Sequence, residues 1–146
     1  MAPIIVFLIL ALDQLAKLFV IRSLAPGDSI PILKGAFSIT LIHNRGAAFG
    51  IFKDQFYLFV FISVISVILI YFMLKHNRGG RLYAFSLSLI LGGALGNLID
   101  RVSLGYVVDF LDFHVWPVFN IADSAITCGT LILCWLLIRP NPKNAS

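Results

Sequence analysis

Residues 56–74 read FYLFVFISVISVILIYFML, a run of 19 residues without a charged side chain. At about 1.5 Å per residue, a helix of this length crosses a hydrocarbon core that is about 30 Å thick. Three further apolar runs of similar length occupy residues 3–21, 82–99 and 121–138. The sequence therefore predicts four transmembrane helices.

The composition of the whole chain agrees with a membrane protein. Of its 146 residues 60% are hydrophobic and 12% are charged, and the mean hydropathy is +0.97. These values are not those of a soluble domain. The net charge of +4 does not indicate a nucleic-acid-binding protein, because the basic residues are scattered over the loops. We predict an all-α membrane protein that forms a single integral membrane domain, residues 1–146.

The first run is interpreted as a permanent span. No basic segment precedes it, as one would in a cleaved signal peptide, and it contains Asp13, Gln14 and Lys17. Asp13 and Lys17 are four residues apart on one helical face, so they can neutralise each other within the bilayer. We expect a structural role for this pair.

Four spans place both termini and the loop 75–81 on one side of the membrane. Five Lys and Arg residues lie on that side, within short segments beside the span ends, and five lie on the other side in two longer loops. Since dense positive charge next to spans marks the cytoplasmic side, we predict cytoplasmic termini.

The first outer loop contains two β-rich runs, residues 29–33 and 36–42, around Lys34 and Gly35. Such a pattern predicts a hairpin, and hence a small β-rich element on the outer face. The small residues that follow, 44–50, either allow another chain to approach the backbone closely or form a plain loop.

Two glycines of the third run, Gly92 and Gly96, are four residues apart. This small-xxx-small spacing lets transmembrane helices pack backbone to backbone. We expect helix packing at this point.

Several kinds of chemistry are excluded by the residues that the chain lacks. It contains seven Asp and no Glu, so no HExxH zinc site exists, and its three His are far apart in sequence. We predict no metal and no cofactor. A serine nucleophile such as Ser124 with His114 as its base remains an alternative.

Carboxylates remain, and four of them fall within residues 96–123. Two neighbouring Asp side chains share one proton, so that one acts as a base on water while the other acts as an acid. The candidates are Asp100, Asp109, Asp112 and Asp123. Asp100 also has a structural interpretation, pairing with Arg101 or with Asp13 and Lys17.

The flanking residues distinguish two of these acids. Asp109 lies between Val107-Val108 and Phe110-Leu111, an apolar setting that would raise its pKa, although a solvated loop acid is the other interpretation. Asp123 opens the fourth run, where free backbone N–H groups and the helix dipole would favour its ionised form, although an ordinary helix N-cap is the other interpretation. Asn97 and Asn120 lie near the same face and can orient a carboxylate.

Five motifs, in this order along the four spans, resemble those of bacterial lipoprotein signal peptidases, the signal peptidase II family. They are Asp13-Gln-x-x-Lys17, Asn44-x-Gly-Ala-Ala-Phe49, Gly93-Ala-x-Gly-Asn-x-x-Asp-Arg101, Val108-Asp-Phe110 and Phe119-Asn-x-Ala-Asp123. The resemblance extends over nearly the whole chain.

The resemblance implies an aspartic endopeptidase of the bacterial cytoplasmic membrane with its active site near the outer face. It implies cleavage of prolipoproteins just before a diacylglyceryl-modified Cys, with membrane lipid as surroundings and a globomycin-type cyclic lipopeptide as inhibitor. Asp109 and Asp123 would be the catalytic pair. The residues that would line or brace the site are Asp13, Asn44, Gly46, Asn97, Arg101 and Asn120.

Two other classes of protein are weighed against the peptidase. A small proton- or cation-coupled transporter would need carboxylates near the membrane midplane, where only Asp13 is expected. A non-catalytic assembly subunit would have no turnover that an Asp to Asn change could affect.

Overall fold

The computed structural model describes residues 1–46, 55–77 and 79–139. Residues 47–54, 78 and 140–146 lie outside that description, and they include the end of the predicted small-residue segment and three of the counted basic residues. The helices are α1 (Ala2–Ser23), α2 (Phe56–Lys75), α3 (Gly80–Leu104) and α4 (Ile121–Ile138). Each is long and apolar enough to cross a membrane, which confirms the predicted spans.

The helix bounds differ from the predicted runs mainly in α3. This helix continues beyond residue 99 to Leu104 and ends at Gly105, whose φ of 81° lies in the left-handed region. Glycine adopts that conformation without a steric penalty and is common just after a helix. The longer helix carries Asp100 and Arg101 within its last turns rather than in a loop.

Helix α3 packs against each of the other three helices. Its glycines make the close approaches possible, as the small-residue spacing predicted. A Cβ added to Gly92 would lie 2.9 Å from Ile9 Cβ, and one added to Gly96 would lie 2.6 Å from Asp13 Oδ2. A Cβ added to Gly93 would lie closer still to the carbonyl oxygen of Ala122 in α4.

We expect Gly93→Ala to destabilise the packing of α3 against α4. The new methyl group would collide with a backbone oxygen, which cannot rotate away as a side chain can, and overpacking of this kind costs about 1–3 kcal/mol. The midpoint of thermal unfolding in detergent should therefore fall. Ser103→Ala, at an exposed position of the same helix, is the control. Equal midpoints for the two variants would contradict the tight contact.

Three strands form an antiparallel sheet at the end of the bundle where α3 ends and α4 begins. They are β1 (Ser29–Leu33), β2 (Phe37–Asn44) and β3 (Val107–Asp112), with β2 in the centre. The predicted hairpin is thus confirmed, and Gly35 occupies its turn with a φ of 75°.

The sequence does not predict the third strand, because residues 100–120 stand between two spans as the second outer loop. Val107 pairs with Asn44 and Asp109 pairs with Ile42, so the partner strand comes from a different loop. Local alternation of apolar residues does not reveal such a partner. Consequently Asp109 lies on a strand, and the interpretation as a solvated loop acid is wrong.

A small apolar core fixes the sheet to the helices. It contains Val20 of α1, Leu41 of β2, and Val108 and Phe110 of β3, all of them buried. Because β3 follows α3 directly and rests on α1, its residue Asp109 is brought close to the start of α4.

Candidate active site

Asp109 lies on β3, is only 2% exposed, and accepts two side-chain hydrogen bonds. Asn44 Nδ2 donates to its Oδ2 at 2.8 Å, and Asn120 Nδ2 donates to its Oδ1 at 2.7 Å. Burial, followed by the nearby Asp123 carboxylate, raises the pKa of Asp109 to about 7, although the two hydrogen bonds oppose the shift. The apolar flanks had predicted this direction.

Asp123 lies in the first turn of α4, but it is not the N-cap that the sequence suggested. The N-cap is Asn120, whose Oδ1 accepts from the Asp123 backbone N–H at 2.8 Å. Asp123 Oδ2 in turn accepts from the Asn120 backbone N–H at 3.3 Å. This reciprocal capping box holds the carboxylate at the helix start, where it remains partly exposed.

Asn120 therefore connects both carboxylates while fully buried itself. Its capping oxygen contacts the Asp123 backbone, and its amide group donates to Asp109 Oδ1. The same amide nitrogen lies 3.1 Å from Asn97 Oδ1 and 3.2 Å from the Val108 carbonyl oxygen. One side chain thus couples α4, β3 and α3.

Asn97 binds Asp123 from the other side. Its Nδ2 donates to Asp123 Oδ1 at 2.7 Å, while its Oδ1 accepts from Lys17 Nζ at 3.1 Å. Each acid of the pair thereby receives a hydrogen bond from a different asparagine.

Behind the asparagines lies a buried ionic cluster of Asp13, Lys17 and Asp100. Lys17 Nζ is 2.8 Å from a carboxylate oxygen of each acid, as one of the structural interpretations of Asp100 had proposed. Asp13 Oδ1 also accepts from the Ala122 backbone N–H at 2.9 Å, at the start of α4. Asp100 Oδ2 accepts from the Val108 backbone N–H at 3.1 Å, and hence connects α3 to β3.

Two contacts in this region were not expected from the sequence. Gln14 Nε2 donates to Asp100 Oδ1 at 2.9 Å, so it connects α1 to α3. The backbone N–H of Gly46 donates to Asn44 Oδ1 at 3.0 Å, which turns the Asn44 amide nitrogen toward Asp109. Gly46 therefore acts through its backbone, a role that residue type alone does not reveal.

Arg101 borders a cleft that is also lined by Asn44, a hydrogen-bond partner of Asp109. Its Nη1 donates to the Asn97 carbonyl at 3.2 Å and lies 3.4 Å from Ser63 Oγ, and its guanidinium stands 5.7 Å from the Phe59 ring centre. The cleft is partly open to solvent. Its lining residues include Asn44, Gly46, Phe56, Phe59, Arg101 and Tyr106.

The serine alternative is wrong, because the structure does not bring its two members together. Ser124 Oγ donates to the Asn120 carbonyl at 2.9 Å, whereas His114 Nε2 lies 3.1 Å from Ser38 Oγ. His114 Nδ1 is 3.5 Å from Asp112 Oδ1, but Ser38 is only 3% exposed. The contacts of His114 with Ser38 and Asp112 tie the loop after β3 to the sheet.

Comparison with known proteins places this arrangement in a class of membrane enzymes. Two solved structures of bacterial membrane enzymes superpose on the chain with TM-scores of 0.89 and 0.87, both at 32% sequence identity. The first match covers 94% of this chain and 87% of the solved structure. The second covers 96% of this chain and 94% of the solved structure. The four spans and the small sheet are therefore those of a bacterial membrane enzyme.

The model of the family described as Signal peptidase (SPase) II matches residues 5–139 of the chain. The lipoprotein signal peptidase of Halothermothrix orenii is 50% identical over 135 residues, which are 91% of this chain and 92% of that protein. That of Moorella thermoacetica is 46% identical over 138 residues, 94% and 92% of the two chains. The chain belongs to the signal peptidase II family, and it is a peptidase of the membrane. This membership favours a peptidase over the transporter.

Proposed function

We propose that this protein removes signal peptides from prolipoproteins in a bacterial cytoplasmic membrane, using Asp109 and Asp123 as an aspartic catalytic pair. The cut falls before a Cys that carries a diacylglyceryl group. The relatives from Halothermothrix orenii and Moorella thermoacetica are named lipoprotein signal peptidases, which supports this substrate.

One observation carries the proposal of the pair. A single buried residue, Asn120, contacts both carboxylates, that of Asp109 through its side-chain amide and that of Asp123 through its backbone N–H. Among the described residues no Lys or Arg forms an ion pair with either acid. Two neighbouring carboxylates without a paired cation retain one proton between them. The pKa of about 7 for Asp109 allows that proton to be held or released near neutral pH.

The chemistry requires only this pair and one water. The ionised acid removes a proton from the water, whose oxygen attacks the scissile carbonyl carbon, while the protonated acid donates to the carbonyl oxygen. The tetrahedral intermediate then loses its C–N bond as a proton moves to the leaving nitrogen. The products are a new carboxyl group on the signal peptide and a free amino group on the lipidated Cys, and the pair regains its single proton.

The partial exposure of Asp123 and the cleft lined by Asn44 and Arg101 support the proposed pair. Water and the substrate backbone can reach the exposed edge of Asp123, and the carboxylate of Asp109 lies near it. Arg101 and Asn44 line the cleft, where their N–H groups can donate to substrate carbonyl oxygens. A globomycin-type cyclic lipopeptide would occupy the same cleft.

We expect a strong preference for lipidated substrate. Burial of an acyl chain contributes about 0.8 kcal/mol per CH₂, so four buried CH₂ groups already correspond to about 100-fold in kcat/KM. The purified protein should be given one prolipoprotein peptide in two forms, with diacylglyceryl-Cys and with a Cys capped by a small thioether. Cleavage is followed by mass spectrometry at matched detergent concentration.

Equal turnover of the two peptides would contradict the proposed substrate class. Cleavage at a bond other than the one preceding the lipidated Cys would do the same. The two matched peptides differ only in the lipid, so a difference in their turnover reports the lipid alone.

The proposed orientation places the sheet and the acids on the outer side. In a background lacking Cys128 and Cys134, Lys34→Cys on the hairpin should react with an impermeant maleimide in intact cells. His76→Cys, after α2, should react only once the membrane is opened. Both positions are exposed, so a difference in labelling reports sidedness rather than burial. The reverse pattern would invert the orientation and place the acids inside.

A further inference from the structure

We propose that Lys17 is a positioning residue for the catalytic pair: its ammonium group fixes the orientation of the Asn97 amide, and through it the carboxylate of Asp123, while its charge favours a singly ionised pair. This inference rests on the proposed function of Asp109 and Asp123. Sequence reasoning had assigned Lys17 only a structural pairing with Asp13.

The orientation of Asn97 follows from the chemistry of its neighbours. An ammonium group donates hydrogen bonds and cannot accept them, so the Asn97 atom 3.1 Å from Lys17 Nζ must be the carbonyl oxygen. The amide nitrogen of Asn97 is then forced to face Asp123 Oδ1, at 2.7 Å. Without Lys17 the Asn97 oxygen would lose one of its two donors, Lys17 and the Asn120 amide, so the Asn97 amide would be held less firmly toward Asp123.

The orientation of Asn120 is fixed independently. Its oxygen accepts from the backbone N–H of Asp123, and its nitrogen therefore faces Asp109 Oδ1 and Asn97 Oδ1. The hydrogen bonds of the two amides are therefore compatible only when the Asn97 oxygen faces Lys17 and the Asn120 nitrogen. A backbone N–H and the Lys17 ammonium are the two fixed donors that determine the whole arrangement.

Lys17 is 2% exposed, and its closest partners are the two acids of the ionic cluster. The buried positive charge of Lys17 favours the ionised form of nearby carboxylates, whereas the negative charge of Asp100 disfavours that form. Within the described parts of the chain, the other charged groups near the pair lie on α1 and α3, namely Asp13, Asp100 and Arg101. The strands contribute neutral Asn44 beside Asp109.

The test measures kcat and KM against pH for the full-length protein in lipid nanodiscs with the lipidated peptide. Lys17→Met is compared with Asp100→Asn and with the double variant Lys17→Met/Asp100→Asn. The alkaline limb of the profile reports loss of the proton that the pair shares. In Asp100→Asn the side-chain oxygen can still accept from Lys17 and from the Val108 backbone N–H, so the variant keeps two of the contacts of Asp100.

We expect Lys17→Met to lower kcat about 100-fold with little change in KM, since misplacement of a reacting group by about 1 Å has effects of that size. Its alkaline limb should move to higher pH, and that of Asp100→Asn to lower pH, because the two variants remove opposite charges. The double variant has the wild-type net charge. Its limb should therefore return toward that of the wild type while its kcat stays low, because Asn97 still lacks the ammonium.

If the pH profiles of the variants, scaled to the same maximum, superimpose on the wild-type profile, the inference is overturned and Lys17 is a purely structural residue. Recovery of wild-type kcat in the double variant would overturn it as well. If Lys17→Met alone does not fold, Asp100→Asn and the double variant give the same decision. Asp109→Asn is measured in parallel. If it is inactive, a negative result for Lys17 overturns only the inference about Lys17; if it is active, the proposed catalytic pair itself is wrong.

Discussion

Asp109→Asn and Asp123→Asn should each lower the rate of prolipoprotein cleavage by about 10⁴-fold, the upper end of what acid–base catalysis contributes. An amide can neither take a proton from water nor supply one to a carbonyl oxygen. Both substitutions keep the size of the side chain, and Asn44 and Asn120 can still contact position 109 after rotation of an amide. The variants should therefore insert into the membrane and bind a globomycin-type lipopeptide, at reduced affinity.

Asp112→Asn is the matched control, since it changes an acid of the same strand three residues away. Asp112 accepts from the His114 backbone N–H at 2.8 Å and from Thr40 Oγ1 at 2.8 Å, contacts that an asparagine largely reproduces. The hydrogen bond from His114 N–H keeps the pKa of Asp112 below its usual range, so this acid is ionised at neutral pH and shares no proton. Cleavage by Asp112→Asn should stay near wild type, and EDTA should leave the wild type active.

Substitutions of Asn120 should separate its two roles. In Asn120→Ala both the helix cap and the hydrogen bond to Asp109 are lost, and loss of a cap alone costs about 1 kcal/mol. Asn120→Ser keeps a capping oxygen but lacks the amide. We expect the midpoint of thermal unfolding to fall clearly for the alanine variant and little for the serine variant.

Cleavage should nevertheless drop about 100-fold in both Asn120 variants, because neither can orient Asp109. Activity that follows stability, high for serine and low for alanine, would mean that Asn120 acts only as a helix cap. Two unfolding midpoints equal to that of the wild type would argue against a capping role.

Helix positions and the hairpin follow from the sequence because their signals are local. The run at 56–74 has the length and apolarity of a span, and Lys34-Gly35 separates two β-rich runs. The strand Val107–Asp112 carries no such local signal, since its partner β2 lies in another loop. Its pairing is a tertiary event, decided by the apolar core of Val20, Leu41 and Phe110.

The site was predictable to a similar extent. Apolar flanks singled out Asp109, and the start of a span singled out Asp123, but only resemblance to a family chose these two from four acids. The role of Asn120 as N-cap was hidden because Asp123, three residues later, is also a good capping residue. The contact of Lys17 with Asn97 depends on how α1 is rotated against α3, which residue spacing within one helix does not determine.

The central claim is that Asp109 and Asp123 act as one unit on a water molecule. Its most direct test is the rate of cleavage of the lipidated peptide by Asp109→Asn, Asp123→Asn and the double variant, all measured in one lipid preparation. Groups that act as a unit are strongly non-additive, so the double variant should be barely slower than either single one. A double variant slower by the product of the two single effects, or substantial cleavage by either folded single variant, would contradict the shared-proton mechanism.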